Sequence, residues 1–541
     1  MRLALALRRR TIEPGLFAAI VIVWGGLALF TIYPALRVLF YPGTADYRAI
    51  FSDPRYGRSL LHSLAMMGLS TASATLLGLL FAVATTRSDL PLRRFFSFVS
   101  FLPLFSPPFI VAFGYIMLFG KNGLVTHGLF GLRASILGWR GLWLAQTLSF
   151  FPVATVAIRN VIATIPSSLS RAARNLGASR LNTFATITLP LASGGIFSAA
   201  LLVAILVLAD FGNPILIAGD YSVLATEAWQ RVQGWADVGG ASVLSLVVML
   251  PSLLLFIAQR SWAKDRGFTT VGGKASSMES ESTSRPAKLF FVLACSIVSL
   301  LILMIYLALA AGSLVEGWGF DWRPTLRWFA ELGPRWADLG RSLCYSAAAA
   351  AGSALFGIVA AYLVHSKRMP LRAAADLAAM LPAALPGIFI GIGYSIAFNR
   401  PPLDLYGTPL IVILALGTWN LSTSYQTGIE SLKQIAPSLG EAAANLGARP
   451  LLVFRQIYLP LLRGPFASAT VVGFIRSITT LSVIVFISTS SNSVATFSIM
   501  NFVNDGMYGK ASALSVSLLV LAFAAVGLGG FAFDRGVRST Q

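Results

Sequence analysis

Apolar runs of about 18 or more residues recur along almost the whole chain. A helix of that length crosses a hydrocarbon core of about 30 Å, so the runs predict a chain that passes through a membrane many times. Only 11% of the residues are charged, against about 25% in soluble domains, which argues against a water-soluble fold. We therefore expect an all-α polytopic membrane protein with about twelve transmembrane helices. The predicted spans are 16–38, 59–84, 95–119, 139–163, 195–218, 239–260, 288–312, 341–364, 373–398, 409–432, 464–487 and 512–533.

The net charge of +20 could indicate nucleic-acid binding, but the positions of the basic residues favour another explanation. If the amino terminus is cytoplasmic, most of the 41 Lys and Arg residues fall in cytoplasmic segments. That excess orients membrane proteins, so we predict two cytoplasmic termini and no nucleic-acid partner. The basic residues that set this orientation include Arg2, Arg8, Arg9, Arg10, Arg87, Arg93, Arg94, Lys367, Arg368 and Arg372.

The sequence repeats itself. Residues 172–191 (AARNLGASRLNTFATITLPL) and 442–461 (AAANLGARPLLVFRQIYLPL) are identical at twelve of twenty positions. A second pair, 62–82 and 341–361, has a larger offset, which places extra residues of the first half in an outside loop. Six spans per half predict two parallel repeats, joined by a segment rich in Ser, Gly and charge. The predicted boundaries are 1–263 for the first half, 264–287 for a cytoplasmic linker and 288–541 for the second half.

The repeated segments, about 166–193 and 437–463, fall between the fourth and fifth spans of each half. In the second copy Ser438 and Glu441 have the spacing of a capping box, and Gly447 is placed to end the helix in a left-handed turn. A second short helix is predicted to end at Leu459-Pro460. Such a helix–turn–helix could simply brace the bundle, but two matched copies favour docking to a two-fold partner. The equivalent first-copy residues are Ser168, Ala172, Ala173, Leu176, Gly177, Phe184, Ile187 and Pro190, and those of the second copy are Ala442, Ala443, Leu446, Phe454, Ile457 and Pro460.

These segments resemble the EAA loop of ABC importer permeases, with its EAA, G, F, I and LP pattern. The resemblance covers essentially the whole chain, and two loops in one chain resemble the fused permeases of the ferric-iron type. It implies the type I permease fold in a bacterial inner membrane, a cytoplasmic ABC ATPase dimer and an extracytoplasmic substrate-binding protein. By resemblance, Ala172, Ala173, Leu176, Gly177 and Pro190 couple the first half to the ATPase. Glu441, Ala442, Ala443, Leu446, Gly447 and Pro460 do so in the second half, whereas Arg171 stands where the family has Glu.

No G-x-x-x-x-G-K-[ST] sequence, the phosphate-binding loop of an ATPase, occurs in the chain. We therefore expect a transport subunit, not an enzyme, with no cofactor of its own and with ATP used by the partner.

Two charged residues fall inside predicted spans, Asp210 and Arg476. Charges at that depth are costly and mark functional positions by default. We predict that both lie on the translocation path and interact in at least one conformation. The equally weighted alternative is an ion pair that only fixes how the halves pack. Proline residues interrupt both third spans, either to line a cavity or as packing kinks: Pro103, Pro107, Pro108, Pro382 and Pro386.

The residues do not identify the substrate. No cluster of carboxylates or histidines has the spacing of a ferric-iron site, so iron rests on the resemblance alone. A phosphonate, a sugar phosphate, another small anion or thiamine are the alternatives within the same machinery. A proton-coupled secondary transporter is the alternative of another class, but the repeated loops would have no role in it. On the outer side, Trp318, Trp322, Trp328 and Trp336 are predicted to include interface anchors.

Overall fold

The computed structural model describes residues 14–87, 89–132, 135–265, 284–366 and 369–538. Most of the predicted linker lies outside these residues, as do Lys367, Arg368 and the basic residues near the amino terminus. The described part of the first half is helical throughout. Its helices are α1 (Pro14–Leu27), α2 (Tyr33–Phe40), α3 (Thr44–Ser52), α4 (Pro54–Thr86), α5 (Arg93–Phe101), α6 (Pro108–Phe119), α7 (Trp139–Thr164), α8 (Ser167–Asn175), α9 (Arg180–Thr183), α10 (Leu189–Leu208), α11 (Gly212–Ile217), α12 (Leu224–Trp235) and α13 (Val238–Asp265).

The second half repeats this order and adds a two-stranded antiparallel hairpin after its first helix. Its elements are α14 (Arg285–Gly312), β1 (Val315–Gly317), β2 (Asp321–Pro324), α15 (Arg327–Glu331), α16 (Arg335–Ser366), α17 (Arg372–Met380), α18 (Gly387–Ala397), α19 (Pro409–Gln434), α20 (Pro437–Asn445), α21 (Pro450–Val453), α22 (Leu459–Leu461), α23 (Arg463–Thr479), α24 (Ala495–Asn504) and α25 (Tyr508–Arg538).

The structure has fewer uninterrupted apolar spans than the twelve predicted. Among the described residues, nine helices are long and apolar enough to cross a membrane, or eleven if two bent pairs each count as one span. Helix α19 has the length of a span, with 26 residues, but is not among them because its sequence is rich in polar side chains. Each predicted span nevertheless overlaps a helix at its place in the chain.

The packing of the long helices fixes their directions. Helix α4 lies along α7, with Ser70 bonded to Gln146 and, further along both helices, Gly78 against Ala154. Helices α16 and α19 pack in the same way. Because contacts advance together on both helices, each pair is parallel, and the segment between its members must return across the bundle. The third span of each half is therefore a true crossing.

Both of these third crossings are broken, as the prolines predict. A short 3₁₀ segment, Leu102–Phe105 or Leu381–Ala383, separates α5 from α6 and α17 from α18. In the second half the two parts meet at an angle of 111°. Proline lacks the N–H that would continue the α-helical ladder, so the chain turns at these residues.

Each half's first helix packs on the other half. Gly26 of α1 lies directly against Phe356, and the Tyr394 hydroxyl donates to the Phe30 carbonyl at 2.9 Å. Phe30 belongs to a π-helical turn, Ala28–Ile32, between α1 and α2. In the reverse direction, Gly114 lies against Ile305 of α14. The two halves are therefore interlocked through their first helices.

Candidate functional site

The two repeated loops have the same backbone geometry. Helices α8 and α20 end at glycines in the left-handed region, with φ of +89° at Gly177 and +81° at Gly447. In the first copy Ala178 N–H bonds to the Ala173 carbonyl at 3.0 Å, and Gly177 N–H bonds to the Arg174 carbonyl at 2.9 Å. This pair of bonds is the Schellman motif, for which glycine is the preferred residue. The predicted glycine turn is confirmed in both copies.

The turns present leucine side chains outward. Leu176 and Leu446, the residues just before the two glycines, are both 89% exposed. Ala172 and Ala442 are exposed, and Ala173 and Ala443 are half-buried, so the burial pattern also matches. Exposed apolar side chains at two equivalent turns leave two apolar patches that the described part of the chain does not cover.

The starts of these helices differ from the prediction. Helix α8 begins at Ser167, with Pro166 at its N-cap and no side-chain cap, and α20 begins at Pro437. Ser168 and Ser438 therefore lie within the first turn, so the predicted serine caps, and the capping box of Ser438 with Glu441, are wrong. A proline fixes φ near the helical value and has no N–H to satisfy, so it can start a helix without a serine cap.

The prolines of the LP pair act differently in the two loops. Pro190 does not end a helix, because it is the second residue of α10. In the second loop the helix ends at Leu461, one residue after Pro460, and meets α23 at an angle of 66°, close to the predicted end. A π-helical turn precedes each of them, Phe184–Thr188 and Phe454–Tyr458. The wider turn accommodates a residue without an N–H, so the chain continues as helix through the proline.

The acidic position differs between the two loops. Glu441 of α20 and Arg171 of α8 occupy the equivalent position, and both are exposed. The loops thus offer the same apolar shape with opposite charge at one point.

Asp210 lies in a break, not inside a helix. Helix α10 ends at Leu208, and α11 begins at Gly212. The carboxylate is 7% exposed and accepts hydrogen bonds from Gln146 Nε2 at 3.1 Å and from Asn213 Nδ2 at 2.9 Å. It also accepts from the Asn213 backbone N–H at 3.2 Å. Asp210 is therefore fully engaged within its own half.

Arg476 does lie inside a helix, α23, and is half-buried. Its Nη1 donates to Thr423 Oγ1, and its guanidinium lies 5.3 Å from the ring centroid of Trp419. Among the described residues, no ion pair joins Arg476 to Asp210 or to any other carboxylate. Their interaction in another conformation stays a prediction.

Sequence reasoning missed two polar contacts at the N-terminal ends of α4 and α16. Ser59 Oγ donates to Glu227 Oε1 at 3.5 Å, and Ser498 Oγ donates to Asp338 Oδ2 at 2.6 Å. Ser59 aligns with Asp338 in the repeat, and Glu227 aligns with Ser498. An acid and a serine that exchange places between the two halves would have been the signal.

The described residues contain no group of three or more His, Cys, Asp or Glu side chains placed to hold a metal ion. If a ferric ion crosses this chain, it would do so as a substrate.

The chain matches one family model twice. The model for the binding-protein-dependent transport system inner membrane component matches residues 74–267 and 353–538. The two matches fall at the same part of each repeat, from the second long helix to the last.

Two relatives match over almost the whole of this chain, including both halves. The chain is 31% identical over 516 residues to the ferric transport system permease protein FbpB of Actinobacillus pleuropneumoniae, covering 92% of this chain and 75% of that protein. It is 24% identical over 525 residues to the Fe(3+)-transport system permease protein FbpB 2 of Haemophilus influenzae, covering 94% and 97%.

A half-length relative matches as well. The molybdenum transport system permease protein ModB of Escherichia coli is 30% identical over 216 residues, which cover 38% of this chain and 93% of that protein. The interlocked halves, the matched loops and these relatives agree. The chain belongs to the family of binding-protein-dependent transport system inner membrane components and is a multi-pass permease subunit of an ABC importer.

Proposed function

We propose that the chain forms the membrane path for ferric iron. A binding protein on the outer side would deliver the iron, and a cytoplasmic ABC ATPase dimer would drive its import. The names of the two full-length relatives support iron. The observation that carries the coupling role is the pair of loops with equal turns and equally exposed leucines, Leu176 and Leu446.

The ATPase would dock at these two loops. Each exposed leucine loses contact with water when it enters a groove, which stabilises the complex by about 1.5–3 kcal/mol per side chain. The coupling residues are Ala172, Ala173, Leu176, Gly177 and Pro190 in the first loop and Glu441, Ala442, Ala443, Leu446, Gly447 and Pro460 in the second. ATP is then bound and hydrolysed by the partner, and this chain needs no cofactor.

This function implies an arrangement of the chain in the bacterial inner membrane. Both termini are cytoplasmic, and the halves 1–263 and 288–541 are joined by the cytoplasmic linker 264–287. The excess of basic residues in the segments on that side supports this orientation. Asp210 and Arg476 line the path between the halves.

Import of a small oxyanion is the second candidate. A relative named as a probable sulfate transport system permease protein matches only 42% of the chain but carries such a substrate in its name. Arg476, a cation in a spanning helix with no carboxylate partner among the described residues, favours it.

The test is uptake of labelled ferric iron in cells lacking this chain, complemented with wild type or with the double variant Leu176→Glu, Leu446→Glu. Because both leucines are 89% exposed, the substitutions leave the fold of the permease intact. We expect wild type to restore uptake and the double variant to abolish it and to lose the ATPase on purification.

Leu129→Glu is the matched control, because Leu129 is also exposed but belongs to the opposite membrane face; it should transport normally. Iron uptake that never depends on the chain would reject iron. Normal uptake by the double variant would reject the docking role.

A further inference from the structure

Helix α19 carries a polar stripe. Five residues spaced by four, three, one and three positions share one face of this helix. They are Trp419, Thr423, Gln426, Thr427 and Glu430. Each of these side chains is half-buried or exposed. Hydrocarbon cannot satisfy such groups, so a partly exposed polar face on a membrane-length helix lines an aqueous cavity.

The first half lacks this stripe. The equivalent face of α7 has an apolar centre with a polar residue at each end. Helix α7 is accordingly apolar enough to be a membrane span, whereas α19 is not. The stripe is therefore not a requirement of the shared fold. The five equivalent residues of α7 are Ser149, Val153, Val156, Ala157 and Asn160.

Arg476 lies against this stripe from the neighbouring helix α23. It bonds to Thr423 and lies over Trp419, while the stripe's own acid, Glu430, is two helical turns, about 10 Å, from Thr423. A guanidinium has five N–H donors, and within the described residues Thr423 is the acceptor it contacts. Most of its donors are thus left for a group that the described residues do not supply.

We propose that Arg476, with Thr423 and Gln426, binds an oxyanion group of the transported solute. The inference rests on the proposed path and deepens it. A guanidinium presents a planar fork of donors that matches carboxylate and phosphate oxygens. As a positive charge it also repels a bare trivalent cation. Iron that passes Arg476 therefore carries oxyanion ligands, or the solute is itself a small oxyanion.

Uptake in cells lacking the chain separates these cases. The probes are labelled iron supplied as ferric citrate, a labelled sugar phosphate and a labelled phosphonate.

Arg476→Gln should lower the initial rate of the transported probe at least tenfold, and Arg476→Lys should raise its KM with a smaller change in the maximal rate. Thr423→Val, which keeps the side-chain shape, should lower the rate about threefold. Arg58→Gln removes an exposed outer charge and should have no effect. All rates are normalised to the amount of permease in the membrane.

The outcomes distinguish the inference from the proposed function. Ferric citrate uptake that requires the chain and Arg476 supports both. Sugar-phosphate or phosphonate uptake that requires Arg476, without iron uptake, supports the inference and rejects iron. Iron uptake at the wild-type rate by both Arg476→Gln and Thr423→Val overturns the inference and leaves iron import standing. Absence of any chain-dependent uptake of the three probes rejects both.

Discussion

In the first half Ser59 of α4 contacts Glu227 of α12, and in the second half Asp338 of α16 contacts Ser498 of α24. The same two helices are joined at the same point, with acid and hydroxyl exchanged. A contact that both halves make, with its two partners exchanged, indicates a structural role. At Arg476 the halves differ in kind, because its counterpart is Leu206. We infer that the acid–serine contact kept in both halves holds the fold, and that Arg476, found in one half only, meets the solute.

The acid of the second-half contact, Asp338, is held more strongly than the acid of the first-half contact, Glu227. Asp338 is buried and accepts hydrogen bonds from Arg335, Arg341 and Ser498 at 3.2, 3.0 and 2.6 Å. Glu227 Oε2 lies 3.5 Å from Arg55 Nη2 and makes no hydrogen bond within the described residues.

Replacing each acid by its neutral amide should therefore give the largest difference in stability between the two contacts. We expect Asp338→Asn to lower the free energy of unfolding by about 3 kcal/mol, since it breaks a buried charged network, and Glu227→Gln by about 1 kcal/mol. Thermal unfolding of the purified permease in nanodiscs measures both. Equal losses would mean that the hydrogen-bond difference has no energetic consequence.

Exchanging the acid and the serine of the second-half contact should restore part of the stability that Asp338→Ser alone removes. The double variant Asp338→Ser, Ser498→Glu gives the second half the residues of the first. We expect it to be about 1–2 kcal/mol more stable than Asp338→Ser alone, a coupling energy typical of contacting residues. Strict additivity of the two substitutions would show that the contact cannot be exchanged.

The lock between the first helix and the second half should show an effect of similar size. Tyr394→Phe removes the hydroxyl that bonds to Phe30 and Thr418, and we expect a loss of about 1–2 kcal/mol. Its repeat counterpart Tyr115 makes no hydrogen bond through its hydroxyl within the described residues, so Tyr115→Phe is the matched control. A similar loss in both variants would assign the effect to packing.

The smallest expected effect concerns the unequal coupling loops. Arg171→Glu gives the first loop the acidic residue that the second has at Glu441. As an exposed charge it should change the affinity for the ATPase by about 0.2–1 kcal/mol, or roughly 1.4- to 5-fold. Titration of the ATPase against the permease in nanodiscs measures the change. A loss of binding beyond tenfold would mean that Arg171 is a principal docking residue.

The sequence predicts best where one residue type leaves few conformations. Gly177 and Gly447 adopt the positive φ that favours glycine, and the prolines of the third spans break those helices. It predicts less well where two local backbone conformations satisfy the same residues equally well. Pro437, not Ser438, starts α20, and a π-helical turn carries the chain through Pro190 without an end.

Long-range placement could not be predicted from the local pattern. An apolar run has the same periodicity whether it packs on its own half or on the other, so the exchange of first helices had no local signal. Asp210 lies in an apolar run that favours continuous helix, and its partner Gln146 is brought to it by the packing of α7. The partners of Arg476, Thr423 and Trp419, are likewise brought by another helix.

The most direct test replaces second-half residues by their first-half counterparts, at Arg476 in one variant and at the Asp338–Ser498 contact in another. Initial uptake rates of the transported solute would be compared for Arg476→Leu and for the double variant Asp338→Ser, Ser498→Glu, at equal amounts of permease in the membrane. We predict at least a tenfold loss for Arg476→Leu and a rate within twofold of wild type for the double variant. A normal rate for Arg476→Leu would contradict the claim that the difference between the halves serves the solute.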